Sequence, residues 1–170
     1  AVVNFAPTAT DNCATVSLSQ SAATSIIAAN SVACPTGPNS FWRAYQLAAP
    51  APVRINTVTF AVEAANVSQT VNVRLHTSAG AFPGGVRTQV ASQAVTVAPA
   101  NNNSLITVTL TTPPTVPGNA ILVLELNVPT NPNSFWPGSN AAGETAPSYI
   151  SATACGAANP VTLASLGFPT

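Results

Sequence analysis

Short stretches in which apolar and polar residues alternate one by one are the feature that most limits how this chain can fold. Val58, Phe60 and Val62 alternate with threonine and alanine, and the same period of two runs through residues 71–76 and 106–111. Successive side chains of a β-strand point to opposite faces, so each stretch predicts a strand with one buried face. Residues 121–128 (ILVLELNV) are more continuously apolar, which predicts a central strand whose outer face is partly covered.

Proline and glycine separate these predicted strands. The chain has 16 Pro and 9 Gly, and many lie between the alternating stretches, as in FPGG at 82–85 and PPTVPG at 113–118. Short strands divided by such turns, with no segment of convincing helical period, are typical of antiparallel sheets. The sequence therefore predicts an all-β fold, an antiparallel jelly-roll-like β-sandwich. A length of 170 residues suits a single domain.

Charged residues are rare. There are four Lys or Arg and four Asp or Glu, which is 5% of the chain with a net charge of zero, whereas about 25% is typical of soluble domains. Such a chain has no basic surface for nucleic acid or for anionic membranes. No apolar run approaches the roughly 18 residues that span a bilayer. We therefore expect neither a nucleic-acid partner nor membrane insertion.

The string PNSFW occurs twice, at residues 38–42 and 132–136. The first copy leads into RAYQL and the second into PGSN, so the flanks do not indicate a duplicated unit. We interpret each copy as a turn that feeds aromatic residues into a sheet edge or the core, because tryptophan is usually mostly buried. In the alternative interpretation, aromatic residues form a sugar-stacking platform, with Trp42, Tyr45, Trp136 or Tyr149 as its members.

The motifs NSFWRAYQL at 39–47, VNVRLHTSAGAFPGG at 71–85 and FWPGSNAAGETAPSYISATACG at 135–156 follow one another in this order, and LGFP at 166–169 closes the series. From about Ser19 onward this order resembles a non-catalytic β-sandwich module of secreted bacterial proteins, often appended to extracellular proteases and other hydrolases. The resemblance implies a secreted chain, with residues 19–170 as the sandwich and residues 1–18 as an extension. Such modules continue beyond the last motif with one more hydrophobic strand, whereas this sequence stops at Thr170.

The three cysteines suit an oxidising compartment, with one disulfide and one odd thiol. Spacing alone allows three pairings, and the resemblance implies Cys34 with Cys155, which leaves Cys13 over. The chain begins with Ala rather than Met, which we interpret as a mature exported chain. We therefore predict an extracellular or cell-surface location.

Residues that could carry catalysis are sparse. His76 is the only histidine and Asp11 the only aspartate, and no nucleophile-elbow sequence lies near either. Glu63 and Glu125 stand alone within predicted strands, where each could pair with an arginine of a neighbouring strand; such a pair is worth about 1 kcal/mol or less when exposed. The cysteines lack the paired spacing of a metal site. We predict a protein that is not an enzyme and that needs no metal or cofactor.

Asn66 and Asn102 begin glycosylation sequons, NVS and NNS. Such matches arise often by chance in a chain rich in asparagine and serine, so they are weak candidates for modification.

Two functions fit these features. Soluble sandwiches usually protect exposed sheet edges with Lys or other charges, and this chain has almost none. The first hypothesis is therefore an extracellular structural subunit whose copies exchange strands head to tail in a filament or surface layer. Residues 1–18, with Val2, Val3 and Phe5, are its predicted assembly strand. The alternative is a non-catalytic carbohydrate-binding or accessory module of a secreted hydrolase, whose partners would include glycans.

Overall fold

The computed structural model of the protein describes residues 31–130, 135–139 and 146–168. In these residues the chain forms eleven β-strands and three single turns of 3₁₀-helix. The predicted all-β, antiparallel sandwich is therefore confirmed. The predicted extension, residues 1–18, and with it Val2, Val3, Phe5 and Cys13, lies outside the described residues. No helix in the described part of the chain is long and apolar enough to cross a membrane.

The larger layer of the sandwich is a six-stranded antiparallel sheet with the order β11-β10-β1-β8-β4-β5. Its strands, in chain order, are β1 (Asn39–Gln46), β4 (Gln69–Ala79), β5 (Val86–Val97), β8 (Ile121–Val128), β10 (Ser148–Ala152) and β11 (Ala157–Thr162). The ILVLELNV stretch is β8, and it pairs with β1 on one side and with β4 on the other. The prediction that this stretch is a central strand is confirmed.

The second layer is smaller. A three-stranded sheet has the order β6-β3-β9, with β3 (Thr57–Ala65), β6 (Ser104–Thr109) and β9 (Phe135–Pro137). A two-stranded ribbon of β2 (Val53–Arg54) and β7 (Thr115–Val116) completes the described strands. Five short strands of the described part of the chain thus lie opposite the sheet of six, and the ribbon packs with Val90 of β5 and Leu122 of β8.

The core lies between these two sheets, where the alternation read from the sequence places it. Val58, Phe60 and Val62 of β3 and the apolar set of β4 are buried in one cluster with Leu126 and Val128 of β8. Fully burying one such side chain stabilises a fold by about 1.5–3 kcal/mol. A second cluster of Leu47, Val53 and Val116 is held by the two-stranded ribbon.

The two PNSFW copies place equivalent residues in equivalent ways. Phe41 of β1 and Phe135 of β9 both face the core, where their ring centroids lie 5.9 Å apart. Because side chains alternate along a strand, Trp42 and Trp136 point to the outer faces of their sheets, and both are half-buried. The expectation of core packing therefore holds for the phenylalanines and is wrong for the tryptophans. Pro132, Asn133 and Ser134 of the second copy lie outside the described residues.

A disulfide joins Cys34 to Cys155, with a Cα–Cα distance of 6.0 Å. This is the pairing that the family resemblance implied. The turn between Cys34 and β1 is fixed by the fully buried Asn39, whose Oδ1 accepts from the Cys34 backbone N–H at 2.8 Å and whose Nδ2 donates to the Cys34 carbonyl at 3.1 Å. The first described residues are thereby tied both to β1 and to the turn that precedes β11.

Candidate functional site

The outer face of the six-stranded sheet carries a buried polar network centred on Glu125. The register of the sheet places Glu125 of β8 between Trp42 of β1 and Arg74 of β4. Its Oε1 accepts hydrogen bonds from the Ser40 hydroxyl at 2.7 Å and from Arg74 Nη1 at 3.3 Å, and its Oε2 lies 2.9 Å from His76 Nε2. Only 4% of Glu125 is exposed. Three strands therefore converge on one carboxylate.

The pKa of Glu125 reflects opposing effects of this environment. Burial is the largest single effect and raises the pKa, because desolvation disfavours the charged form. The hydrogen bonds with His76 and Ser40, the positive charge of Arg74 and the charge of His76 in its protonated form together outweigh it. The net result is a pKa below the usual value for a glutamate, so the carboxylate stays ionised at neutral pH.

An aromatic cover lies over this network. The tip of the β4–β5 hairpin places Phe82 6.0 Å from the Trp42 ring and 4.7 Å, edge to face, from Tyr149 of β10. The Arg87 guanidinium lies 5.2 Å from the centroid of Trp42 and 5.6 Å from that of Phe82, within the range of cation–π attraction. On the outer face of β8, Val123 and Glu125 are both buried. The prediction that the outer face of this strand is partly covered is confirmed.

The structure tests the expectation for the two glutamates. Glu125 does pair with an arginine of a neighbouring strand, Arg74, as expected. The pair is not an exposed one, however, because Glu125 is buried and also bonds to Ser40 and His76. His76 lies on the polar face with Asn72 and Arg74, but it too is buried. Glu63 Oε2 is buried with no hydrogen-bond partner among the described residues.

The four aromatic residues named as an alternative ligand platform do not form one surface. Trp42 and Tyr149 are cross-strand partners on the outer face of the six-stranded sheet. Tyr45, three residues after Trp42 on the same strand, points to the opposite face, where burial raises the pKa of its hydroxyl. Trp136 belongs to β9 in the other sheet. Phe82 and Arg87 lie beside Trp42 on this face, and Phe82 also contacts Tyr149. The sequence did not predict these contacts, because they form only when the β4–β5 hairpin folds back over the sheet.

The side chains of this cluster bond mainly to one another and form a packed structural network. Both oxygens of the Glu125 carboxylate already bond to side chains of the protein. Across the described ranges there is no group of three or more His, Cys, Asp or Glu side chains that could hold a metal ion. The arrangement fixes β1, β4 and β8 to one another and fastens the hairpin tip over them.

A second candidate site is the lateral side of the sandwich formed by β5 and β6. Each is the last strand of its sheet, and within the described residues β5 pairs only with β4 and β6 only with β3. The twelve residues of β5 contain one charge, Arg87, and the six of β6 (SLITVT) contain none. Gln93 of β5 links the two layers here, since its Oε1 accepts from the Thr111 hydroxyl at 2.9 Å. This lateral side therefore presents two long, nearly uncharged strand edges.

The two sequons lie at the same end of the sandwich. Asn66 is exposed in the turn between β3 and β4, and Asn102 is exposed in the loop before β6. Asn102 Oδ1 accepts from the Ala65 backbone N–H at 2.6 Å. Exposure leaves both asparagines accessible, and glycosylation of either stays a prediction.

Comparison with protein-family models, with characterised proteins and with solved structures finds no match to this chain.

Proposed function

We propose that this protein is an extracellular structural subunit whose copies assemble into a filament or surface layer by exchanging strands. The observation that carries the proposal is the lateral side formed by β5 and β6. Edge strands expose unpaired backbone N–H and C=O groups, and natural sandwiches blunt them with charges, proline or bulges. A single arginine in the eighteen residues of β5 and β6 is an unusually weak defence against pairing with another chain.

The occupant that we assign to this side is the segment of residues 1–18 from another copy. Its first residues include Val2, Val3 and Phe5, and Asp11 is the only charged residue in the first thirty. An apolar, nearly uncharged strand matches an apolar, nearly uncharged edge. Four or five side chains buried at about 25 cal/mol per Å² of apolar surface would contribute several kcal/mol, before the entropy of ordering the segment is subtracted.

An extracellular location is part of the proposal. The Cys34–Cys155 disulfide is of the kind that persists in oxidising compartments. The resemblance to secreted bacterial modules supports the same location. A nearly uncharged surface also suits dense packing of identical subunits, because it brings no like charges together.

Negative-stain electron microscopy and light scattering of the purified full chain test the proposal. We expect filaments or sheets from the unaltered protein and discrete particles from a variant that lacks residues 1–18. Val3→Asp should also block assembly, because it places a charge in the assembly strand. The matched control is Thr24→Asp, which adds the same charge outside residues 1–18 and should leave assembly intact. Normal assembly of the shortened protein would refute the role of this segment, and a monomeric unaltered protein would refute the function itself.

The alternative, binding of glycans, is supported by the pairing of Trp42 with Tyr149 beside Arg87 on the outer face. It is the weaker proposal because these rings pack against Phe82 and Arg87. Isothermal titration with neutral and acidic oligosaccharides, using Trp42→Ala as the comparison, distinguishes the two: saturable heat that is lost in the variant would favour the glycan-binding module.

A further inference from the structure

Over residues 90–95 the inner face of β5 is less completely buried than that of β4. The inner residues of the neighbouring strand β4, Val71, Val73 and Leu75, are 0–2% exposed. On β5, Val90, Ala91 and Val95 are only partly buried, although they pack against the same core. Ile106 of β6 is likewise only partly buried. Val97 of β5 and Val108 of β6 are buried, so the incomplete burial on this lateral side is confined to the middle of β5 and to Ile106.

The backbone of β6 is oriented to accept a further strand. The Leu110 N–H donates to the Asn56 carbonyl at 2.9 Å, which directs that residue's backbone groups toward β3. Backbone groups alternate in direction along an antiparallel strand. Those of Ile106 and Val108 therefore also point to β3, whereas those of Leu105, Thr107 and Thr109 point to the open side.

The other edges of the sandwich are less suited to strand addition. β11 contains Pro160, which lacks a backbone N–H, and its pairing with β10 is irregular between Ile150 and Ala152. The pairing of β5 with β4 shifts register at Leu75/His76, and such bulges twist an edge away from a flat partner. The β3–β6 pairing runs without a shift over all six residues of β6. The fourth edge, β9, has only three residues, one of them Pro137, and its pairing with β3 shifts register between Val62 and Ala64. Of these four edges, β6 is the one whose pairing is regular throughout.

We propose that β6 is the acceptor edge, and that residues 1–18 of a second copy add to it as a fourth strand of the smaller sheet. This inference rests on the proposed function and specifies its contact. Val3 and Phe5 are two residues apart, so as part of a strand they share a face. In the added strand that face lies over Val90, Val95 and Ile106, the partly buried side chains of this lateral side, and completes their burial.

The position of Ser31 makes this contact head to tail. The Ser31 hydroxyl donates to the Pro137 carbonyl of β9, which is the strand at the opposite edge of the smaller sheet from β6. The segment that precedes Ser31 thus enters the described fold on one side, and the acceptor edge lies on the other. A contact between two different surfaces propagates along a row of copies when it is repeated in one direction, whereas a reciprocal exchange between two copies closes a dimer.

Residues 19–30 extend to at most about 40 Å, a span that also permits the segment to reach β6 of its own subunit. The experiment therefore separates the two arrangements by placing the two reactive cysteines on different molecules. Donor subunits carry Val2→Cys, on the predicted outer face of the added strand. Acceptor subunits carry a cysteine at an exposed position of β6, in three versions: Leu105→Cys, Thr107→Cys and Thr109→Cys. Both kinds also carry Cys13→Ser and keep the Cys34–Cys155 disulfide.

Equal mixtures of donor and acceptor subunits are assembled, oxidised mildly and separated without reductant. For at least one β6 position, we expect a band of twice the subunit mass that neither donors alone nor acceptors alone give under the same oxidation. Acceptors that carry Asn159→Cys on β11 should give none. In a second test, Thr107→Pro should abolish assembly of the full-length protein because it removes an outward N–H, whereas Thr107→Ala, which keeps that N–H, should assemble.

The outcomes separate the acceptor edge from the proposed function. If the unaltered protein forms filaments but cross-links only through position 159, or if Thr107→Pro assembles normally, β6 is not the acceptor and the structural function stands. Cross-linking within single molecules of a Val2→Cys/Leu105→Cys double variant, with none between molecules, would also overturn the inference. If the unaltered protein forms no filaments at all, the function and the inference fail together.

Discussion

Replacing Glu125 by Gln tests how much the buried polar network stabilises the sandwich. The substitution keeps the shape of the side chain and one acceptor oxygen but removes the charge shared by Ser40, Arg74 and His76. Hydrogen bonds to a charged group contribute about 1.5–3 kcal/mol each when buried, while the contact with Arg74, whose side chain is 33% exposed, is worth about 1 kcal/mol or less. Because Gln still accepts one hydrogen bond, we expect the free energy of unfolding to fall by about 2–3 kcal/mol at pH 7.

The same variant should show a distinctive pH dependence. The pKa of Glu125 is lower in the folded protein than in the unfolded chain, where a glutamate has its usual value of about 4.3. As the pH falls, the unfolded chain is therefore protonated at this position before the folded protein is. The stabilisation is therefore complete above the unfolded pKa and is lost as the pH falls through the folded pKa. The Glu125→Gln variant has no carboxylate at this position and so has no such stabilisation to lose. The difference in stability between the two proteins should therefore shrink as the solution is acidified from pH 7 to pH 3.

Urea unfolding followed by circular dichroism at several pH values measures both effects. Glu63→Gln is the matched control: it makes the same change at a carboxylate whose Oε2 lacks a hydrogen-bond partner within the described ranges, and we expect a change of less than about 1 kcal/mol. A Glu125→Gln protein within about 0.5 kcal/mol of the unaltered one at pH 7, or a difference that does not vary with pH, would show that the network does not stabilise the fold as reasoned.

Three further predictions concern individual contacts. Replacing Cys34 and Cys155 by Ser should lower the free energy of unfolding in urea by up to about 5 kcal/mol, because the bond closes a loop with a sequence separation of 121; Cys13→Ser is the control, and a loss equal to the control's would contradict the estimate. Gly118→Ala should cost about 1–3 kcal/mol, since its Cβ would overlap the carbonyl oxygens of Ala49 and Ala51. Gly84→Ala, whose Cβ would have its nearest neighbour at 3.9 Å, should unfold at nearly the same temperature as the unaltered protein. In a Trp136→Phe background, Phe82→Ala should increase acrylamide quenching of Trp42 fluorescence, because Phe82 covers that ring; unchanged quenching would mean that the hairpin tip does not cover Trp42.

The strands could be predicted because the pattern that indicates a strand lies within one short segment of the sequence. The alternation at Val58, Phe60 and Val62 depends only on neighbours in sequence, and these three side chains lie in the core as predicted. The same holds for the apolar stretch of β8, because a strand covered on both faces carries few polar residues. The Cys34–Cys155 pairing joins residues that are distant in sequence. It was predicted from the family resemblance, because the spacing of the cysteines alone allows three pairings.

The polar network could not be predicted because it depends on register between distant strands. Ser40 and Glu125 meet only because β1 lies beside β8, and no pattern in the sequence gives that pairing. The cover over Trp42 has the same origin, since Phe82 and Arg87 reach it through the fold-back of a hairpin. Neighbouring residues of a strand such as Phe41 and Trp42 lie on opposite faces, but only the strand order shows which face meets the second layer.

The Cys34–Cys155 bond also determines how this protein would respond to tension. A pulling force applied through the segment before Ser31 reaches the bond a few residues further along the chain and passes directly to the turn that precedes β11. The acceptor strand β6 lies inside the loop that the bond closes, so a load between the disulfide and β6 is shared by both arms of the loop. With the bond intact, a subunit can extend only until the shorter arm, from Thr109 to Cys155, is taut at about 150 Å. The disulfide would therefore limit how far each subunit of a fibre can unravel under tension.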